Sequence, residues 1–271
     1  MNHPEKVCFI GGAGHSGSTL LGLVLGAHPR VFYAGEANKS RGLGDASVKL
    51  RKRTCKVCGE GCRVWSQITA NEPDLYASLS RVTSRPIVAD STKSIAWIEE
   101  KMQRAGAMHF FFLGRDGRAV VASGLRKHPE TSVADHARAW VDQITATEAL
   151  ALRFAGRVTR VRYEALATKP DEVIAVVASA LGLDVVPGMR EPWTAEQHPL
   201  GGNAGTQSLL ETQRDDLAIG GAKKDYYASH PRGFVLDLRW KDELSREALK
   251  VFDDVAGETN RAYAWERGAE G

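Results

Sequence analysis

Residues 11–21 read Gly11-Gly12-Ala13-Gly14-His15-Ser16-Gly17-Ser18-Thr19-Leu20-Leu21, and the fold turns on them. The short apolar run before them, Val7–Ile10, reads as a buried strand, and Thr19–Ala27 after them reads as a helix. A glycine-rich turn between a strand and a helix lets successive backbone N–H groups converge on an anion. The helix N-terminus adds its partial positive charge there. The hydroxyls of Ser16, Ser18 and Thr19 supply neutral donors. Counted from Gly12, four residues precede Gly17, as in a Walker A loop, and Thr19 takes its Ser/Thr position. Ser18 stands where that motif needs lysine. A triphosphate-cleaving enzyme uses the lysine on its β- and γ-phosphates, so this loop suits a donor with less charge at the transferred end.

Outward from the loop, Ile87–Ala89, His109–Leu113 and Val158–Val161 are further short apolar runs that read as buried strands. Helical patterns alternate with them at Ser94–Arg104, Arg118–Arg126, Pro170–Leu181 and Ser245–Tyr263. Val133, Ala137, Trp140, Ile144, Thr147 and Ala151 keep a 3–4 spacing along one long helix. The expected class is therefore α/β: a mostly parallel sheet flanked by helices on both sides. Residues 1–271 read as a single domain. Two loop-rich insertions, 38–84 and 184–235, interrupt the alternation. In such a sheet insertions tend to gather at the carboxyl ends of strands, over the site.

Composition narrows the class. At 43% hydrophobic and 25% charged, the 271 residues describe a globular chain rather than a disordered or fibrous one. No stretch of eighteen apolar residues suggests a membrane span, and Val7–Ile10 is too short for a signal peptide. Three of the four cysteines are bunched at Cys55, Cys58 and Cys62, which is no secreted disulfide framework in a chain this long. A cytoplasmic enzyme is the expectation. The net charge of +3 is too small for a nucleic-acid coat, so anion binding must come from local placement.

A second signal lies at Gly114-Arg115-Asp116-Gly117-Arg118-Ala119-Val120-Val121-Ala122-Ser123. Arg115 leaves the end of a strand and Ser123 lies inside the next helix. A guanidinium and a hydroxyl brought together there suit a second phosphate. With HSGSTLL at 15–21, AHPRV at 27–31, GE at 35–36, DSTKS at 90–94, GRDGRAVVAS at 114–123 and RYEAL at 162–166, the chain resembles sulfotransferases that use 3′-phosphoadenosine 5′-phosphosulfate (PAPS). Its likeness is to the branch holding the tyrosylprotein sulfotransferases and bacterial relatives. The motifs run in the family's order across about 150 residues.

The resemblance implies a P-loop-type α/β fold, PAPS as co-substrate and 3′-phosphoadenosine 5′-phosphate (PAP) as product. Gly14, His15, Ser16, Gly17, Ser18 and Thr19 would form the donor loop, with Ser16–Thr19 on the 5′-phosphosulfate. Arg115 and Ser123 would hold the 3′-phosphate, and Tyr163 would lie near the adenine. Glu36 matches the family's proposed base, and Lys93 a lysine that would stabilise the departing phosphate without a catalytic metal. The acceptor would be a hydroxyl of a small molecule, carbohydrate or lipid. His15, His109, His128 and His136 are rival bases, His15 first because it sits in the loop. Glu36 could instead cap a helix or pair with Lys39 or Arg41. The sequence departs from the family at His15, where an arginine is common, at Asn38, and after Gly202-Asn203. The C-terminal donor contact would then fall to Lys223, Lys224 or Arg232. The alternative is a divergent P-loop kinase or NTPase with Asp90 as a magnesium ligand.

Cys55, Cys58 and Cys62, followed by Trp65, look like half a zinc site. No second ligand pair follows nearby, so a knuckle, a local disulfide or packing is the reading preferred, and no metal ligand is assigned. Lys49, Arg51, Lys52, Arg53 and Lys56 place five positive charges in eight residues, without the aromatics that would support nucleic-acid binding. A solvated face is the default there, and an anionic acceptor the functional reading.

Overall fold

The computed structural model describes residues 4–103, 106–210 and 232–266, so Lys223 and Lys224 lie outside the described residues. Five parallel strands form one sheet: β1 (Lys6–Gly11), β2 (Val31–Gly35), β3 (Ile87–Asp90), β4 (Met108–Gly114) and β5 (Val158–Arg162). Their order is β2-β3-β1-β4-β5. Cys8 pairs with Ala89 on one side and His109 on the other, which fixes β1 at the centre. Continuous apolar runs suit strands covered on both faces, and Val7–Ile10 and Phe110–Leu113 are buried throughout.

The chain steps from β1 one way to β2, and from β3 and β4 the other way. Right-handed crossovers put the helices of opposite steps on opposite faces. α1 (Ser18–Gly26) is buried all round and packs with the helix Pro170–Leu181. The long helix Val133–Arg153 gathers Ile95–Met102, Gly117–Lys127 and Arg246–Asn260 against it. One continuous hydrophobic core runs through sheet and helices. The expected α/β class with a flanked parallel sheet is the observed one.

Among the described residues, the β2 strand and the helix that leads from it to β3 escape the sequence reading. Val31–Gly35 is a fully buried strand, hidden because only four residues separate it from α1. The stretch 38–84 is not irregular throughout: Leu75–Thr83 is a helix, capped by the Asp74 side chain accepting from the Ala77 N–H, and it packs on β2 and β3. It is the β2-to-β3 crossover, so the true excursion ends before Leu75.

Candidate active site

The order reverses on either side of β1, and a crevice opens beyond the carboxyl ends of the strands at such a switch point. Each of the five strands delivers one of the predicted groups there. β1 feeds the glycine loop, β2 feeds Glu36, β3 feeds Lys93, β4 feeds Arg115 and β5 feeds Tyr163.

The loop needs its glycines. Gly12 has φ 143°, and a Cβ there would stand 2.2 Å from the Leu113 carbonyl oxygen. Gly17 is left-handed at φ 91°, and its Cβ would meet the Tyr163 ring at 2.6 Å. Gly17 precedes α1 without a side-chain cap, so the first N–H groups of the helix keep their anion-binding capacity. Ser16 is buried and its Oγ has no partner among the described residues. An orphaned buried hydroxyl beside an uncapped helix end fits an anionic group of a ligand. Thr19 is already engaged: its Oγ1 accepts from the Asn203 N–H at 2.9 Å. Gly14 is exposed and sits at the loop's outer turn.

The cation that the loop lacks comes from the neighbouring strand. Lys93 crosses from the end of β3 so that its Nζ donates to the Ile10 carbonyl at 3.3 Å and to the Ser91 carbonyl at 3.1 Å. Burial pulls the ammonium down to about 8, against the opposing influence of Glu36 and Asp90. Glu36 follows β2, its N–H donating to the Leu200 carbonyl at 2.6 Å. The carboxylate does not cap the 3₁₀ turn Ala37–Gly42; it pairs with Lys39. Asp90, the magnesium ligand of the alternative reading, has its carboxylate engaged within the protein. Its Oδ1 accepts from the Ala37 and Thr92 N–H groups and its Oδ2 from Tyr76 and Trp97, so it is saturated with donors. Its chemistry is structural: it ties the end of β3 to the backbone just after Glu36.

On the other flank, the Arg115 guanidinium is buried and stacks 4.0 Å over the Tyr163 ring. One amino group donates to the His15 carbonyl at 2.7 Å, and its Nε has no partner among the described residues. The other lies 3.3 Å from the Asp237 carboxylate, which Arg239 also holds through two hydrogen bonds. Arg126 reaches the same carboxylate at 3.7 Å. Burial alone would raise the Asp237 carboxyl. The Arg239 hydrogen bonds and the Arg115 charge outweigh it and hold the group well below the usual carboxylate range. Ser123 is half-buried on Gly117–Lys127, three residues before Arg126 and so on the same helix face. The Tyr163 hydroxyl donates to the Val235 carbonyl at 2.8 Å and accepts from the Asp237 N–H.

His15 adopts a left-handed φ of 63°. Burial and then the cations Lys127, Arg115 and Arg126 push its imidazole down to about 4, leaving it neutral near pH 7. The other histidines are elsewhere. His109 sits at the start of β4, the far end of the sheet, bonded to Thr159 at 2.9 Å. His128 pairs with Glu130 at 3.2 Å, and His136 bonds to the His128 carbonyl at 3.3 Å. Asp237, Arg126 and the backbone of Asn203 are the groups the sequence reading missed. Of these only Asn203 had a local signal, the adjoining Gly201-Gly202 pair; both glycines are left-handed, at φ 76° and 96°, against Lys39 and Thr19.

Among the described residues no helix is long and apolar enough to cross a membrane. No curated protein matches the chain. Among solved structures, it is similar to the sulfotransferase domain of the olefin synthase of Synechococcus PCC 7002, at 18% identity and TM-score 0.57, over 98% of each chain. The sulfotransferase domain of the curacin biosynthetic pathway aligns at 15% identity and TM-score 0.59, over 97% of this chain and all of that one. A mouse sulfotransferase complexed with PAP aligns at 13% identity and TM-score 0.55, over 97% of this chain and 90% of that one. At these identities the likeness is one of fold. The sequence model described as the sulfotransferase family matches residues 8–187, well over half of the chain. The chain belongs to the sulfotransferase family.

Proposed function

We propose that the protein moves a sulfuryl group from PAPS to a hydroxyl of a small-molecule, carbohydrate or lipid acceptor. The observation that carries this reading is Lys93. A loop of Walker A shape without its lysine is completed by an ammonium from just beyond β3, bonded to the Ile10 carbonyl of β1 and the Ser91 carbonyl after β3. An ammonium there would face a phosphate leaving group at the foot of the loop. In the proposed step Glu36 takes the acceptor's hydroxyl proton. The acceptor oxygen bonds to sulfur while the bond from sulfur to the 5′-phosphate oxygen breaks. The electron pair leaves with PAP, and Lys93, Ser16 and the N–H groups of α1 stabilise its charge. Arg115 and Ser123 would bind the 3′-phosphate, and Tyr163 the base or the ribose.

The position of His15 supports Glu36 over it as the base. The cations that act on the imidazole are those of Lys127, Arg115 and Arg126, on the proposed 3′-phosphate flank and not at the sulfuryl end. The saturated Asp90 disfavours the kinase or NTPase alternative. The test is calorimetric titration with PAP in EDTA and with ATP in magnesium, followed by transfer from labelled PAPS to a panel of hydroxyl acceptors. PAP binding at about micromolar Kd or tighter without magnesium is the expected result. Magnesium-dependent ATP binding with none of PAP would overturn the reading.

A further inference from the structure

The three bunched cysteines find a fourth partner from far along the chain. His198 is buried and turns its Nδ1 to 3.4 Å from Cys58 Sγ and 3.6 Å from Cys62 Sγ. Cys55 Sγ and Cys58 Sγ are 3.5 Å apart, and all four ligand atoms lie within 4.8 Å of one another. A tetrahedral zinc with ordinary Zn–S and Zn–N bonds sets its ligand atoms about 3.5–3.8 Å apart along the edges. A disulfide does not account for the group. It would draw two sulfurs to about 2 Å and leave the third sulfur and the imidazole converging on nothing.

The surroundings match a metal site as well. His198 Nε2 lies 3.2 Å from the Glu196 carboxylate, the partner that fixes tautomer and ring orientation in metal-bound histidines. The Val57 N–H donates to Cys55 Sγ at 3.4 Å. The Gly59 N–H donates to the Cys55 carbonyl at 3.2 Å, and Gly59 is left-handed at φ 72°, so the chain turns tightly around Cys55 and Cys58. Trp65 donates its indole N–H to the His198 carbonyl at 2.6 Å and closes one side.

We propose that Cys55, Cys58, Cys62 and His198 form a tetrahedral structural Zn²⁺ site that clamps the 38–74 excursion to the segment Pro199–Asn203. Three sulfurs and one nitrogen with no open position make a closed site, and soft thiolate ligands select zinc over calcium or magnesium. What it clamps is specific. The Lys56 N–H bonds to the Pro199 carbonyl, and Leu200 bridges Cys55 on one side and Gly35 on the other. Leu200 then holds the Glu36 N–H, and Asn203 holds Thr19. The metal thus sets the backbone beside the proposed base and the donor loop. Its influence on catalysis rests on the sulfuryl-transfer reading; the site itself does not.

The full-length chain, grown with added zinc and purified under reductant without chelator, is assayed by plasma mass spectrometry and then exchanged with Co²⁺. The expected result is one zinc per chain, and a cobalt spectrum with tetrahedral d–d bands and thiolate charge transfer. Cys62→Ser should weaken the charge-transfer band, and His198→Ala should shift the d–d bands. Glu196→Gln should weaken retention against a chelator about tenfold with the spectrum unchanged. Cys8→Ala, in β1 and outside the cluster, should keep the full complement. If the variants fail to fold, the wild-type cobalt spectrum and stoichiometry still decide. Substoichiometric metal after reconstitution, a cobalt spectrum without thiolate bands, iron–sulfur absorbance, or a Cys55–Cys58 disulfide in metal-free protein would each overturn the proposal. Zinc at full occupancy in protein that binds no PAP would leave the site standing and remove the donor reading instead.

Discussion

The two flanks of the crevice are built differently. On the β2–β3 flank, Lys93 is held by main-chain carbonyls, and Asp90 anchors the backbone that carries Glu36. On the β4–β5 flank, Arg115 meets a carboxylate, Asp237, from a segment more than a hundred residues away. The first arrangement is fixed before any ligand arrives. The second holds an internal anion against the arginine proposed for the 3′-phosphate. Chemistry at the sulfuryl end asks for groups that do not move, whereas recognition at the phosphate end can proceed by exchanging one anion for another.

That contrast is open to attack from several sides. Glu36→Gln should lower kcat about 10²–10⁴-fold while leaving PAP affinity within error, because the loss is a proton acceptor and not a donor contact. Wild-type turnover in this variant would sink the proposed base. Lys93→Ala should cost about 10²–10³ in kcat, the size of one preorganised group at a developing charge. The sign of its pH dependence follows from its lowered position: the ammonium is present below about 8 and lost above it. Accordingly kcat/KM for the donor should fall as pH rises through about 8, and Lys93→Arg should flatten that limb. A limb that persists in the arginine variant belongs to another group.

On the opposite flank, Arg115→Ala should weaken PAP binding about 10–100-fold by calorimetry, the loss of charge-assisted hydrogen bonds. Asp237→Asn discriminates more finely. If anion exchange describes this flank, removing the internal carboxylate tightens PAP about threefold or more, since Arg115 no longer leaves a partner to take the ligand. A weaker affinity in Asp237→Asn means that the carboxylate positions Arg115, and the contrast between the flanks fails. The smallest effect belongs to His15→Asn, which should change PAP affinity less than about threefold. The imidazole is neutral near pH 7, and asparagine tolerates the left-handed φ of 63°.

Much of this architecture was legible in the sequence, and unevenly so. The strands at Val7, Ile87, His109 and Val158 announced themselves because buried parallel strands are short unbroken apolar runs between turn signals. The loop was legible because glycine at positive φ has few substitutes. Val31–Gly35 was not, since the four residues after α1 carry no glycine and read as part of a longer motif. The groups proposed at the ends of β2, β3 and β4 were chosen by motif, and each lies within three residues of its strand. Asp237 and His198 could not be found that way. Nothing local distinguishes a carboxylate that will meet Arg115, or an imidazole 136 residues from the nearest of its thiols, until the sheet brings the segments together. Asp90 was visible as the metal ligand of the alternative reading, but sequence does not reveal that four donors already fill its carboxylate.

Leu200 has one more consequence. β2 is an outer strand of the sheet, and its unpaired margin is a template on which a second chain could add. Leu200 donates its N–H to the Ala34 carbonyl at 2.9 Å and accepts from the Glu36 N–H, so the margin is sealed at its carboxyl end by the chain itself. The segment that holds the backbone of the proposed base is therefore also a guard against self-association. Damage to it should first appear as aggregation of an otherwise folded sheet, before any loss of helical signal.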